Sequence, residues 1–253
     1  GGIMRIARIV LVSAASVVAA AAIVTSIVLL SAPEKAGHRT TTDALPAFAT
    51  AAPLERASAP VGRGVAGLAD SDWIAGAAAA TSIPARALQA YAGVAITIED
   101  AGSGCGIGWN TLAAIGEVES RHGTIFGGKI DSNGLVSPPV YGVPLAGGAV
   151  ANVPDSDGGT IDGDPTIDRA VGPMQLIPDS WRNWHVDGNG DGVEDPQNID
   201  DATLAAAHYL CRAGGQKLGS EDGWRTAVLA YNGSRQYLTD IIRYATAYSK
   251  DVR

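Results

Sequence analysis

The run IVLVSAASVVAAAAIVTSIVLL, residues 9–30, carries no charge and cannot form part of a water-facing globular surface. As a helix rising about 1.5 Å per residue it is roughly 33 Å long, enough to cross a hydrocarbon core of about 30 Å. Arg5 and Arg8 precede it, and that bias places residues 1–8 in the cytoplasm. A cleavable signal peptide is the alternative, although its apolar stretch usually covers only about 7–15 residues. The nearest small-residue cleavage pattern, Ala47-Phe48-Ala49, lies well downstream. Under either reading the rest of the chain is extracytoplasmic, anchored to the membrane by 9–30 or secreted if that span is removed.

Export changes how the two cysteines are read. Cys105 and Cys211 are the whole inventory, and an oxidising compartment permits them to pair. Two separate buried thiols are the alternative. The formal net charge is −8, with both basic residues of the first thirty sitting ahead of the apolar run. So acidic an exported portion lacks the Lys/Arg surface that phosphate-backbone binding needs, which argues against nucleic acid as a partner.

Residues 31–70 are rich in Ala, Pro, Thr and Gly without a sustained period, the composition of a flexible tether. A folded domain is expected over 71–253, starting with Ser71 as a helix cap. Helical patterns follow in IPARALQAYAGVA, around LAAIGEVESRHG, in PDSWRNWH, in DDATLAAAHYLCRAGG with an Asp cap, in WRTAVLAYN and in SRQYLTDIIRYATAY. No alternation of period two is present, so the fold class is mainly α. Residues 127–165 are crowded with Gly, Pro, Asn and Asp and form a long irregular loop of the kind that carries function.

The stretch LAAIGEVESRHG, residues 112–123, places two glutamates two positions apart. At about 100° per residue, with Leu112 at zero, Ile115 falls near 300°, Val118 near 240° and Glu119 near 340°. Glu117 falls near 140°, across the helix, and reads as a solvated surface residue. Glu119 shares the apolar arc, where a carboxylate is costly unless paired, hydrogen-bonded or protonated. Desolvation raises its pKa and suits it to general acid work; a structural pair with Arg121 or Arg169 is the alternative. His122 also faces inward and reads as a packing residue, since histidines 38, 122, 185 and 208 have no metal-ligand spacing.

Three pieces stand in order along the chain: Glu119-Ser120 at the end of the helix, Gly172-Pro173-Met174-Gln175-Leu176-Ile177-Pro178, and Tyr231-Asn232. With their contexts they resemble the lytic murein transglycosylases, nearest in pattern to the membrane-bound B-type subgroup of the lysozyme-like superfamily. The resemblance implies a lysozyme-like domain that cleaves the MurNAc-GlcNAc bond of peptidoglycan glycan strands without water, leaving a 1,6-anhydroMurNAc end. It implies no cofactor for catalysis and Glu119 as both acid and base. Ser120 would orient the carboxylate, Met174 and Gln175 would line sugar subsites, and Tyr231 and Asn232 would close the groove. Such chemistry needs one carboxylate, whereas ordinary glycoside hydrolysis uses two, about 5–9 Å apart. Asp162, Asp164 or Asp168 would supply the second in a hydrolytic muramidase, and a non-catalytic wall-binding scaffold is the alternative from another class. Protein partners are not indicated.

DGNGDGVEDPQN, residues 187–198, follows EF-hand spacing at Asp187, Asn189, Asp191 and Gly192, with Val193 offering a carbonyl. Position twelve is Asn198 rather than Glu. The resemblance implies a later acidic ligand, here Asp201, and a structural Ca²⁺ in the loop 187–201. A metal-free Asp/Gly turn is the alternative.

Overall fold

The computed structural model describes residues 47–148 and 150–252. The expected apolar span 9–30 and the first part of the tether, 31–46, lie outside the described residues. No helix among the described residues is long and apolar enough to cross a membrane.

Seven α-helices dominate: α1 (Ser71–Thr81), α2 (Ala85–Asp100), α3 (Trp109–Ser120), α4 (Pro178–Trp184), α5 (Ile199–Ala213), α6 (Glu221–Tyr231) and α7 (Arg235–Asp251). The sheet content of the described residues is one two-stranded antiparallel hairpin, β1 (Lys129–Ile130) with β2 (Val136–Ser137). The mainly α expectation therefore matches the architecture.

Helix α2 is central. Its Leu88, Tyr91, Val94 and Ile96 are buried, and α3, α5 and a short 3-10 turn at Val65–Gly67 pack around it. Burying side chains of this size contributes about 1.5–3 kcal/mol each. Helix α3 lies antiparallel to α7: Trp109 stacks on Tyr248 at one end, while Glu119 meets Tyr237 at the other. Gly116 lets α2 approach, because a Cβ there would come within 2.0 Å of the Tyr91 hydroxyl.

The caps refine the sequence reading. Asp70, not Ser71, accepts from the backbone N–H groups of Asp72 and Trp73. Asn198, not an aspartate, caps α5 through Asp200 N. That leaves Asp200 to pair with Arg86 at 2.5 Å inside the protein.

Residues 47–70 depart from the expected tether. Ala49, Ala52, Val65 and Ala69 are buried, and Asn110 accepts from Ala52 N while donating to Thr50 O. Trp109 donates its indole N–H to Pro53 O. The segment packs because buried side chains from the helices satisfy its backbone, something its aperiodic alanines could not announce.

Cys105 and Cys211 form a disulfide across 106 residues, tying the entry to α3 to helix α5. Closing so long a loop contributes about 4–5 kcal/mol on a chain-entropy account.

Candidate active site

Helix α3 delivers Glu119 in its last turn, and the chain then leaves by an unusual route. Arg121, His122 and Gly123 follow one another with positive φ, at 52°, 58° and 78°. Two non-glycine residues in that region cost on the order of 1 kcal/mol each, so neighbouring contacts must hold the turn. Ser120 does part of this: its hydroxyl donates to Pro173 O at 2.6 Å and accepts from Gly123 N at 2.7 Å. The expected role of Ser120, orienting the carboxylate, is not what the geometry shows. Both hydrogen-bonding functions of its hydroxyl are spent on joining the end of α3 to the 172–178 segment.

Glu119 is half-buried, and its Oε1 accepts a 2.6 Å hydrogen bond from the Tyr237 hydroxyl. Burial lifts its carboxyl to about 7, with the Tyr237 hydrogen bond pulling the other way. No cation enters that balance, so the alternative of an internal pair with Arg121 or Arg169 does not apply; Arg169 is paired with Asp164. Tyr237 itself is held well above the usual phenol range by burial and by the facing carboxylate, so it remains a donor.

Aromatic rings extend the site. Tyr231 stacks on Tyr237 with centroids 6.5 Å apart and planes at 9°, and its hydroxyl donates to Met174 O at 2.6 Å. Tyr209 packs against the edge of Tyr231. Met174 is fully buried, so it supplies a backbone acceptor and core packing, not a sugar-contacting side chain. Gln175 adopts φ 50° and donates to Gly172 O, and it lines a hollow of about 150 Å³ with Leu176, Ile177, Ser180, Tyr209 and Tyr231. A Cβ at Gly172 would lie 1.7 Å from Pro196 O, so that glycine permits the turn to sit where it does. Asn232 is exposed at the end of α6, where its Oδ1 accepts from Ser234 N.

The second glutamate is not the solvated residue its helix position suggested. Glu117 approaches His122 Nε2 at 3.1 Å, and its side chain is 25% exposed. The His122 hydrogen bond holds its carboxyl below the usual range against a burial effect of opposite sign. His122 is buried, as expected of a packing residue, and is also a hub: Nδ1 meets the Tyr91 hydroxyl at 3.1 Å and Nε2 the Tyr248 hydroxyl at 3.3 Å.

The three aspartates considered as a second catalytic carboxylate are all engaged in the 127–169 region. Asp162 accepts from Asp164 N and Arg169 N, Asp164 is paired with Arg169, and Asp168 binds Ser156 through both oxygens.

The 187–201 loop does not gather its expected ligands into a calcium cage. Asp187 accepts from Gly190, Asp191 and Gly192 amides, and Asp191 from Asn189 and Val193. Asp201 is buried and turned onto the amides of Gly188, Asn189 and Asp195, with its carboxyl raised to about 6 chiefly by burial. The EF-hand-like spacing reflects side chain-to-backbone turns that shape the loop. Among the described residues, the one group of three metal-capable side chains within 4.8 Å is elsewhere, at Asp155, Asp157 and Asp168.

Sequence reasoning missed Tyr237. The signal was present: Tyr237, Ile241, Tyr244 and Tyr248 recur at helical spacing along α7, and that face lies against α3.

Residues 167–241 match a protein-family model described as a transglycosylase SLT domain. The matched stretch contains Met174, Gln175, Tyr231, Asn232 and Tyr237, and it begins after Glu119. Neither curated proteins nor solved structures gave a match. The match supports a lytic transglycosylase-like, lysozyme-like reading of the helical domain and of its action on peptidoglycan.

Proposed function

We propose that the chain is a lytic transglycosylase that cleaves the β-1,4 bond between MurNAc and GlcNAc in peptidoglycan and leaves a 1,6-anhydroMurNAc end. The observation that carries this reading is the Glu119 carboxyl, desolvated, held by Tyr237 and balanced by no cation. With a pKa of about 7 it is substantially protonated near neutrality and able to exchange its proton in both directions. In the first step Glu119 donates that proton to the glycosidic oxygen, and the bond to C1 of MurNAc breaks. In the second, the Glu119 carboxylate takes the proton of the MurNAc C6 hydroxyl as that oxygen bonds to C1. The glutamic acid is thereby regenerated and no water is consumed.

Tyr237 steadies the ionised form between the two steps. Tyr231, fixed by Met174 O and stacked on Tyr237, braces that donor from behind. Gln175, standing over the hollow beside Tyr231, is placed to contact a sugar. The hydrolytic alternative requires a second free carboxylate, and Asp162, Asp164 and Asp168 are spent on their own loop.

The finer assignments belong to the same proposal: a membrane-bound B-type enzyme, exported, held at the membrane by 9–30 and acting in the wall. The disulfide agrees with an oxidising location. Mass analysis of muropeptides released by the protein tests the reaction. The expected product end is lighter than a hydrolytic one by one water, and Glu119→Gln abolishes release while retaining glycan binding. A hydrated end would establish a muramidase; binding with no release by the unaltered protein would establish a scaffold.

A further inference from the structure

A cleft of about 350 Å³ opens on the flank of the α3–α7 seam, lined among others by Glu117, Arg121, Ile125, Asp240, Arg243 and Tyr244. Its position follows from the chain. Arg121 is two residues beyond Glu119, and Asp240 is three residues beyond Tyr237 on α7. The cleft thus starts about one helical turn, roughly 5 Å, from the donor that holds the Glu119 carboxylate.

Both anions of the cleft are already matched. Glu117 is paired with His122, and Asp240 accepts from Gln236 and Arg243. The cations are not used up. Arg243 gives one nitrogen to Asp240 and lies over the Tyr244 ring with its guanidinium carbon 4.3 Å from the centroid. Stacking and a single hydrogen bond fix the plane of that guanidinium and leave its remaining donors facing outward. Arg121 is exposed, and its guanidinium makes no hydrogen bond or close ion pair among the described residues; it acts on Glu117 only through space. Its backbone is left-handed at φ 52°, where glycine is the relaxed choice. An arginine held at a strained position, beside a second preorganised arginine, on a chain of net charge −8, is a local reversal of sign next to the reacting carboxyl.

We infer that this cleft binds a carboxylate of the peptide stem carried by MurNAc, so that the enzyme selects glycan strands that still bear stems. A stem leaves the glycan at each MurNAc, carries free carboxylates, and so offers the planar anion that paired guanidiniums recognise. The inference rests on the reading of Glu119 as the catalytic group. The lactyl carboxylate exposed when a stem is removed is the other source of the same chemistry, and the test separates the two.

The experiment compares kcat/KM on glycan strands with intact stems and on the same strands stripped by an amidase, which bear the lactyl carboxylate instead. The full chain is assayed beside Arg121→Gly, which relaxes the left-handed backbone, Arg243→Gln, and both together. The expected result is a preference of about 10-fold or more for stem-bearing strands, lost in the double variant, with stripped strands cleaved within about 2-fold of the unaltered rate. Equal losses on both substrates, or no preference in the unaltered protein, would overturn the inference while leaving Glu119 in place. Cleavage of neither substrate by the unaltered protein would overturn the catalytic reading, and the stem site with it.

Discussion

Glu117 and Glu119 stand two residues apart on one helix and are driven in opposite directions. Glu117 folds onto His122 and is held ionised, whereas Glu119 meets a neutral phenol in a desolvated place and is pushed to about 7. Neither is exceptional as a residue. The difference comes from what the partner helices bring: α7 presents Tyr237 to one carboxylate, and the backward-folded turn after α3 presents His122 to the other. One helix thus carries a charge fixed for structure and a proton kept mobile for chemistry.

The largest expected effect comes from removing the mobile proton. Glu119→Gln should lower kcat about 10³-fold or more, in line with the loss of a general acid and base. Muropeptide release measured against the unaltered protein checks this, and retained activity would break the comparison outright. In the unaltered protein the acid step requires protonated Glu119, so kcat/KM should fall as pH rises through about 7.

Next in size is Tyr237→Phe. The Tyr237 hydrogen bond favours the ionised form, so its loss should move the alkaline limb of the pH profile above 7 and reduce kcat about 10-fold. A profile that fell to lower pH instead would mean that Tyr237 stabilises the neutral acid. The stacked Tyr231 remains in this variant, which confines the change to one hydroxyl.

These contrasts show how far the sequence could be read. Periodicity put Glu119 on the inward arc because direction along a helix depends only on position. It misjudged Glu117 because direction does not reveal a side chain arriving from the following turn, and the successive left-handed residues 121–123 bring His122 back over the helix. Tyr237 was legible in principle from the aromatic spacing of α7, yet its partner lies 118 residues away. Residues 47–70 looked like a tether because alanine and glycine carry little apolar signal, although the contacts made by Asn110 and Trp109 lock part of that segment in place. The 187–201 loop had metal-like spacing for a different reason: alternate Asp and Asn residues also close turns on their own backbone.

Stability as a function of pH sharpens the same comparison with smaller effects. Glu119 has a folded pKa of about 7 against 4.5 for the unperturbed group, so the folded state binds its proton more tightly than the unfolded chain. Its contribution is complete below the unfolded pKa and is lost as pH rises through about 7, a cost on the order of 2–3 kcal/mol at pH 8. Glu119→Gln should therefore melt higher than the unaltered protein at pH 8, with the difference shrinking towards pH 5. Glu117 has the reverse sign. Its depressed pKa contributes stability above the unfolded pKa that is lost as pH falls through the folded value. Glu117→Gln should then be the less stable protein at pH 7, by about 1 kcal/mol, with activity within about 3-fold of the unaltered enzyme. Its deficit should shrink on acidification while the advantage of Glu119→Gln grows with alkalinity. Thermal melts of both variants across pH 4–8 would measure the two slopes, and slopes of the same sign would show that the two carboxylates share one environment after all.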